Sequence, residues 1–272
     1  FVLSESVIRG NNSESFKQAP VSGGVKITTS QNVLISANVF EQNLTDGLWF
    51  DAEVSDVRVL GNKFVDNGGN GLELEMSSGV LVANNYFIRN VKSGIYIIDS
   101  NTISVWNNTF HDNKSYSVRL FQDTRRSSDP VFSMLVRDVS LKNNVLSYGA
   151  GSCQYLVDDY EKKISGQTMR VKSEGNAYHR AGPSSPANLV CWANGAKLAS
   201  YKNLADFRSG TGNDLRSSLS EGASILTSSF QLTPAALANS SSVALPIPAA
   251  VASAIGVPAD TRRLGAVTPI LK

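Results

Sequence analysis

From Gly47 to Phe121 the chain repeats one alternation of apolar and polar residues four times. Gly47-Leu-Trp-Phe-Asp51, Gly71-Leu-Glu-Leu-Glu75, Gly94-Ile-Tyr-Ile-Ile98 and Ser117-Val-Arg-Leu-Phe121 each follow an Asn-x-Phe and a second Asn. Numbered from the inner asparagine, the copies stand at Asn38, Asn62, Asn85 and Asn108, in steps of 24, 23 and 23 residues. A period of that length belongs to a solenoid coil and is too long for a hairpin. Two further runs recur in every copy. One is Val33-x-Ile35, Val57-x-Val59, Val80-x-Val82 and Ile103-x-Val105; the other is marked by Phe40, Phe64, Phe87 and Phe110. Three short alternating strands per coil predict an all-β chain wound as a parallel β-helix, each strand adding to the one below at about 4.8 Å.

The period-2 pattern also predicts which side chains face the core. In the Gly-opened strand the inward set is Leu48 and Phe50, Leu72 and Leu74, Ile95 and Ile97, Val118 and Leu120. The outer face then carries one column of Trp49, Glu73, Tyr96 and Arg119 beside another of Asp51, Glu75, Ile98 and Phe121. Upstream, Ile8 and Asn11 fit the slots of Ile35 and Asn38. An insertion from Ser13 to Gly23 follows before Gly24-Val-Lys-Ile-Thr28 rejoins the register, with Lys26 in the Trp49 column and Thr28 in the Asp51 column. A second insertion, residues 123 to 137, precedes Val139-x-Leu141-x-x-Asn144-x-Leu146. An insertion beside an outer strand builds a cleft wall, and its Arg125-Arg126 pair is either a contact for an acidic sugar or a plain solvated loop.

A degraded last coil runs from Tyr155 to Tyr178, so residues 1–180 are expected to form the β-helix. Residues 181–272 are expected to form a C-terminal capping segment: a short helix carrying Leu204, Phe207 and Arg208, then an extended Ser/Ala/Pro-rich tail closing the C-terminal end. The first coil shows no cap over its exposed core and edges. The chain is therefore expected to derive from a longer precursor, with an N-terminal portion as a partner.

The Val-x-Val-x-x-Asn-x-Phe-x-x-Asn phrasing, followed by Gly and a hydrophobic strand, resembles the right-handed parallel β-helix repeat of pectate-lyase-like proteins over roughly residues 6 to 147. That resemblance implies a right-handed coil of three strands, an asparagine ladder at a tight turn, a substrate cleft on the outer face of the Gly-opened strand, and a secreted, carbohydrate-active protein. It does not select an activity, because the architecture hosts lyases, hydrolases, epimerases and phage tailspikes.

Composition narrows the partners. With 272 residues, 42% hydrophobic and 18% charged, the chain can bury a sizeable core, and a formal charge of +2 without a basic stripe argues against nucleic acid. No apolar run is long enough to span a membrane. Cys153 and Cys191 flank the degraded coil, either bridged to pin the C-terminal segment or as two buried thiols. Sequons at Asn11, Asn43, Asn107, Asn113 and Asn239 are explained mostly by the abundance of Asn in the repeat. His111 and His179 receive no role.

Chemistry concentrates on the outer face. Asp51 and Glu75 are coil neighbours and Glu73 shares a strand with Glu75, so three carboxylates cluster where like charges are costly unless a proton, cation or substrate is shared. Trp49 and Tyr96 flank Glu73 as platforms for a sugar ring, with Arg119 and Lys26 continuing the column as polysaccharide contacts. Asp51, Glu75 and Glu73 are accordingly the candidate catalytic residues of a glycoside hydrolase. A polysaccharide lyase is the alternative. Glu73-Leu-Glu75 resembles a calcium-binding Glu-x-Glu of β-helix lyases, yet Met-Ser-Ser-Gly follows it where the resemblance requires Asn-Lys-Ser, leaving Arg119 and Lys92 as the nearby bases. Asn-Thr-Asp, Asp-Asp, Gly-His-Gly and Arg-Ile-Lys, the polygalacturonase signatures, are absent as a set. A glycan-binding β-helix without chemistry is the third reading, and an outer face patterned for solubility, with Arg119 paired to a glutamate, is the structural alternative. No cofactor is expected beyond calcium in the lyase case, and no dedicated metal site.

Overall fold

A computed structural model describes residues 1–19 and 22–267. Among these residues the strands fall into three sheets of seven, eight and eight members. Each coil contributes one strand to each sheet, and within a sheet the neighbours are parallel with matched registers, as in Leu72↔Leu48 and Ile95↔Leu72. The one antiparallel partner is Lys197–Tyr201, which folds back on Asn188–Asn194 and ends the third sheet.

The core follows the alternation. Leu48, Phe50, Leu72, Leu74, Ile95, Ile97, Val118 and Leu120 are all fully buried in one continuous cluster. Phe40, Phe64, Phe87 and Phe110 stack with centroids 4.9, 4.8 and 4.9 Å apart, which is the strand spacing carried through the rings. Asn38, Asn62, Asn85, Asn108, Asn144 and Asn176 form one buried ladder, each Nδ2 donating to the next Oδ1 at 3.0–3.1 Å. The second asparagine of the repeat builds another, Asn11 through Asn43, Asn67 and Asn90 to Asn113, at 2.8–2.9 Å.

The residue that turns left-handed is the one before each rung. Ala37, Gly61, Asn84, Asn107, Asn143 and Gly175 have φ between 51° and 69°. The chain turns the corner from the first sheet to the second at that residue, and the following amide side chain satisfies the backbone groups the turn leaves over. The first coil is registered one corner away from expectation. Asn11 bonds Asn43 and Ile8 pairs with Phe40, while Leu3 lies opposite Ile35 and the Ser6 amide donates to Asn38. A three-residue strand, Val2–Ser4, precedes them and takes the place in the first sheet.

Coil stacking runs past residue 180. Asn188–Asn194 continues the third sheet and Ser218–Glu221 the second. The end of the solenoid is closed by the 188–201 hairpin and by α1 (Leu204–Thr211), which starts on Asn203 and drives Phe207 against Trp192 and Tyr201. Cys153 and Cys191, on adjacent strands of the third sheet, are bridged.

The tail does not close the end. It returns along the flank of the solenoid through α2 (Pro234–Val243) and α3 (Ala249–Ile255). Ile247, Val251 and Ile255 cover Ala83 and Trp106, Leu226 and Ala244 cover Val145 and Ala177, and the Val267 amide reaches Asn84. The outer faces of the first two sheets thus acquire an apolar cover, while that of the third is left to the two insertions.

Candidate functional site

The Gly-opened strands place the candidate residues as the alternation requires. Lys26 lies opposite Trp49, Trp49 opposite Glu73, Glu73 opposite Tyr96 and Tyr96 opposite Arg119, in one column on the outer face of the third sheet. Glycine opens the strand because the coils approach closely there: a Cβ at Gly47 would lie 2.7 Å from the Gly71 carbonyl oxygen.

The column is not an open platform. Trp49 was expected to stand exposed, yet only 4% of it is accessible, because the Lys26 ammonium lies 3.5 Å from its ring centroid and its Nε1 donates to Glu75 Oε2 at 3.1 Å. Lys26 also pairs with Asp51 Oδ2 at 2.7 Å. The Asp51 Oδ1 makes no hydrogen bond in the described structure although it is buried. Arg119 lies over the rings of Tyr96, at 4.5 Å, and Phe121, at 5.0 Å, rather than against a glutamate, and its buried Nε makes no hydrogen bond. One face of Tyr96 is thereby occupied.

Both insertions reach the acids. From the first, the Gln18 amide donates to Asp46 Oδ2 at 2.5 Å and to Glu73 Oε2 at 3.1 Å, while Lys92 donates to the Gln18 carbonyl oxygen. From the second, Arg125 holds Glu75 at 2.5 Å, Asp99 at 2.6 Å and Asp123 at 2.9 Å. Arg125 is therefore the anchor of its loop, partly exposed but engaged by three carboxylates rather than free for an acidic sugar. Arg126 points away to Glu161.

Glu73 is 5% exposed, so the three acids are not one solvent-facing patch. Burial pushes its carboxyl up to about 10, helped by a hydrogen bond and like charge from Asp46 and by the charge of Glu75. Asn70 opposes this by donating to Oε2 at 2.9 Å. At neutral pH Glu73 therefore carries a proton while its neighbours Asp51 and Glu75 sit in ion pairs with Lys26 and Arg125. Burial likewise raises the Tyr96 phenol well above its ordinary value.

Among the described residues no group of three or more His, Cys, Asp or Glu side chains is arranged to hold a metal ion. Arg125 lies against Glu75 on the side of the Glu73-Leu-Glu75 pair where a calcium ion would meet that carboxylate.

Asp46 is the participant the sequence pattern did not single out. It precedes Gly47 in the slot of Asn70, Ser93 and Tyr116 and is completely buried. The signal was an acid in that slot together with Gly68-Gly69 one coil on. A Cβ at Gly69 would lie 2.0 Å from Asp46 Oδ1, and that approach lets the Asn70 amide donate to the same oxygen at 2.5 Å.

Residues 1–132 match the model of the family described as the right handed beta helix region. The stacked parallel sheets carry the same architecture beyond that stretch. The chain is a right-handed parallel β-helix protein. No curated protein matches it. As a right-handed β-helix it has a fold that many unrelated activities share, so function is read from the outer face of the third sheet. No described helix is long and apolar enough to cross a membrane.

Proposed function

We propose that this β-helix is a secreted glycoside hydrolase acting on a polysaccharide at the outer face of the third sheet. The observation that carries the reading is the division of labour among neighbouring carboxyls: Glu73 keeps its proton to about 10, while Glu75 and Asp51 are ion-paired. A carboxyl that keeps its proton beside carboxylates held by cations is the arrangement glycoside hydrolysis needs. Glu73 donates its proton to the glycosidic oxygen as the bond breaks. A carboxylate beside it, Glu75 on the same strand or Asp51 on the preceding coil, activates the water or attacks the anomeric carbon. Outward neighbours two residues apart on a strand are separated by roughly 6.5–7 Å, at the lower edge of the range that favours inversion for Glu73 with Glu75.

Tyr96 and Arg119, both partly exposed, supply a surface for a sugar beside the acids. Gln18 covers Glu73, so a bound sugar displaces its amide from the acid.

The test is incubation with a panel of plant, algal and bacterial polysaccharides. New reducing ends without absorbance of an unsaturated uronate support hydrolysis. Unsaturated products replace it with β-elimination, and tight binding without turnover replaces it with a glycan-binding module.

A further inference from the structure

The geometry points to Asp46 as the positioning residue that keeps the Glu73 proton in place, the two side chains forming one proton-sharing carboxyl pair. This rests on the hydrolase reading for its purpose but on geometry for its existence. The two carboxyls share both of their outside donors. Gln18 Nε2 bridges Asp46 Oδ2 and Glu73 Oε2, and Asn70 binds Asp46 through its backbone amide and Glu73 through its side chain. Two carboxylates held this closely in a buried site cannot both ionise, so one proton stays between them.

The surroundings assign that proton. Asp46 accepts a backbone amide on Oδ1 and a side-chain amide on Oδ2, whereas both amides that reach Glu73 land on Oε2 and leave its other oxygen to carry the proton. Glu73 faces acids on two sides, Asp46 on the preceding coil and Glu75 on its own strand. The cations nearby are engaged elsewhere: Lys26 on Trp49 and Asp51, Arg125 on Glu75 and Asp99, Arg119 on Tyr96, and Lys92 on the far end of Gln18. None of them forms an ion pair with Glu73. The proton therefore rests on Glu73, the member whose strand faces outward, and Asp46 holds the hydroxyl in one orientation.

The experiment is a pH titration of the intact protein followed by carbon NMR of the side-chain carboxyls, with Glu73 assigned by its loss in Glu73→Gln. In the native protein the Glu73 signal should remain that of a protonated acid through neutral pH. In Asp46→Asn it should ionise at lower pH by at least about one unit, a tenfold change in proton affinity. If the variant cleaves polysaccharide, the alkaline limb of its rate profile should move the same way with KM little changed. An ionised Glu73 in the native protein at neutral pH overturns the pair whether or not the variant folds, and so does a titration that Asp46→Asn leaves unmoved. A shared proton in a protein that cleaves no glycan keeps the pair and removes the hydrolase reading, so the two failures are distinguishable.

Discussion

The indole Nε1 of Trp49 donates to Glu75 Oε2 across 3.1 Å, tying a ring on one coil to a carboxylate on the next. With Lys26 over its face, the ring is a buried fixture of the outer sheet surface. Trp49→Ala should therefore lower stability by about 3 kcal/mol, in the range for truncating a buried aromatic. Trp49→Phe, which keeps most of the packing and loses the hydrogen bond, should cost nearer 1 kcal/mol. Urea unfolding of the two variants measures both. A melting temperature unmoved by Trp49→Ala would mean that the ring is solvated and the Lys26 contact absent.

Asn62 occupies the middle of the inner ladder. Its side chain donates to the carbonyls of Ile35 and Leu60 and to Asn85 Oδ1, and accepts from the Asn38 backbone and side-chain amides. Asn62→Ala leaves several buried groups without partners, so a loss of roughly 3 kcal/mol is expected. The equivalent change at Asn11, on the exposed end of the second ladder, should cost much less. Equal losses at the two sites would show that burial does not set the value of a rung.

What was legible in the chain was what repeats. The inward set, the Phe stack and the Asn38 to Asn108 ladder follow from alternation and period, since each copy constrains the next. The first coil was misread by one corner because Val2–Ser4 is too short to display alternation. The site was half legible: the outward columns follow from the strand register, but their exposure depends on Gln18 and Arg125. Both lie on insertions whose contacts join residues 55 and 50 positions apart, and no local pattern reports such a contact. Asp46 was hidden because its slot holds a different residue type in every coil.

His111 and His179 flank the Ser147 hydroxyl on the second sheet, at 3.4 and 2.9 Å, beneath the returning tail. Burial lowers both imidazoles below their ordinary 6.5. The folded protein therefore binds their protons less readily than the unfolded chain does. Above about 6.5 neither state is charged and nothing is lost; as pH falls below it, the unfolded chain takes up protons first and stability declines until the folded values are reached. Urea midpoints should drop between pH 7.5 and pH 5 by more than they do in His179→Gln. Because Tyr148 links this patch to the Gly222 carbonyl and His111 packs on Phe230, amide exchange in residues 222–233 should quicken first. An identical pH slope in the variant would remove His179 from the account.

Exchanging each acid for its amide separates chemistry from structure. Asp51→Asn and Glu75→Gln remove one member of an ion pair with Lys26 or Arg125 and should each lower turnover at least roughly 10²-fold, the scale of lost acid–base catalysis, with oligosaccharide affinity little changed. Glu73→Gln should lower turnover as much while raising stability. The Glu73 carboxyl is raised from 4.5 to about 10, so the contribution of its proton is complete below 4.5 and declines as pH rises toward 10. A glutamine removes that dependence: its amide donates toward Asp46 as the acid proton does, and its carbonyl still accepts from Asn70 and Gln18. At pH 7 the variant should gain on the order of 2 kcal/mol, an advantage that vanishes near pH 4. A gain in stability joined to a loss of turnover is the mark of a residue strained for function. If Glu73→Gln is destabilised at pH 7 and fully active, Glu73 is an ordinary ionised side chain and the proton donor lies elsewhere.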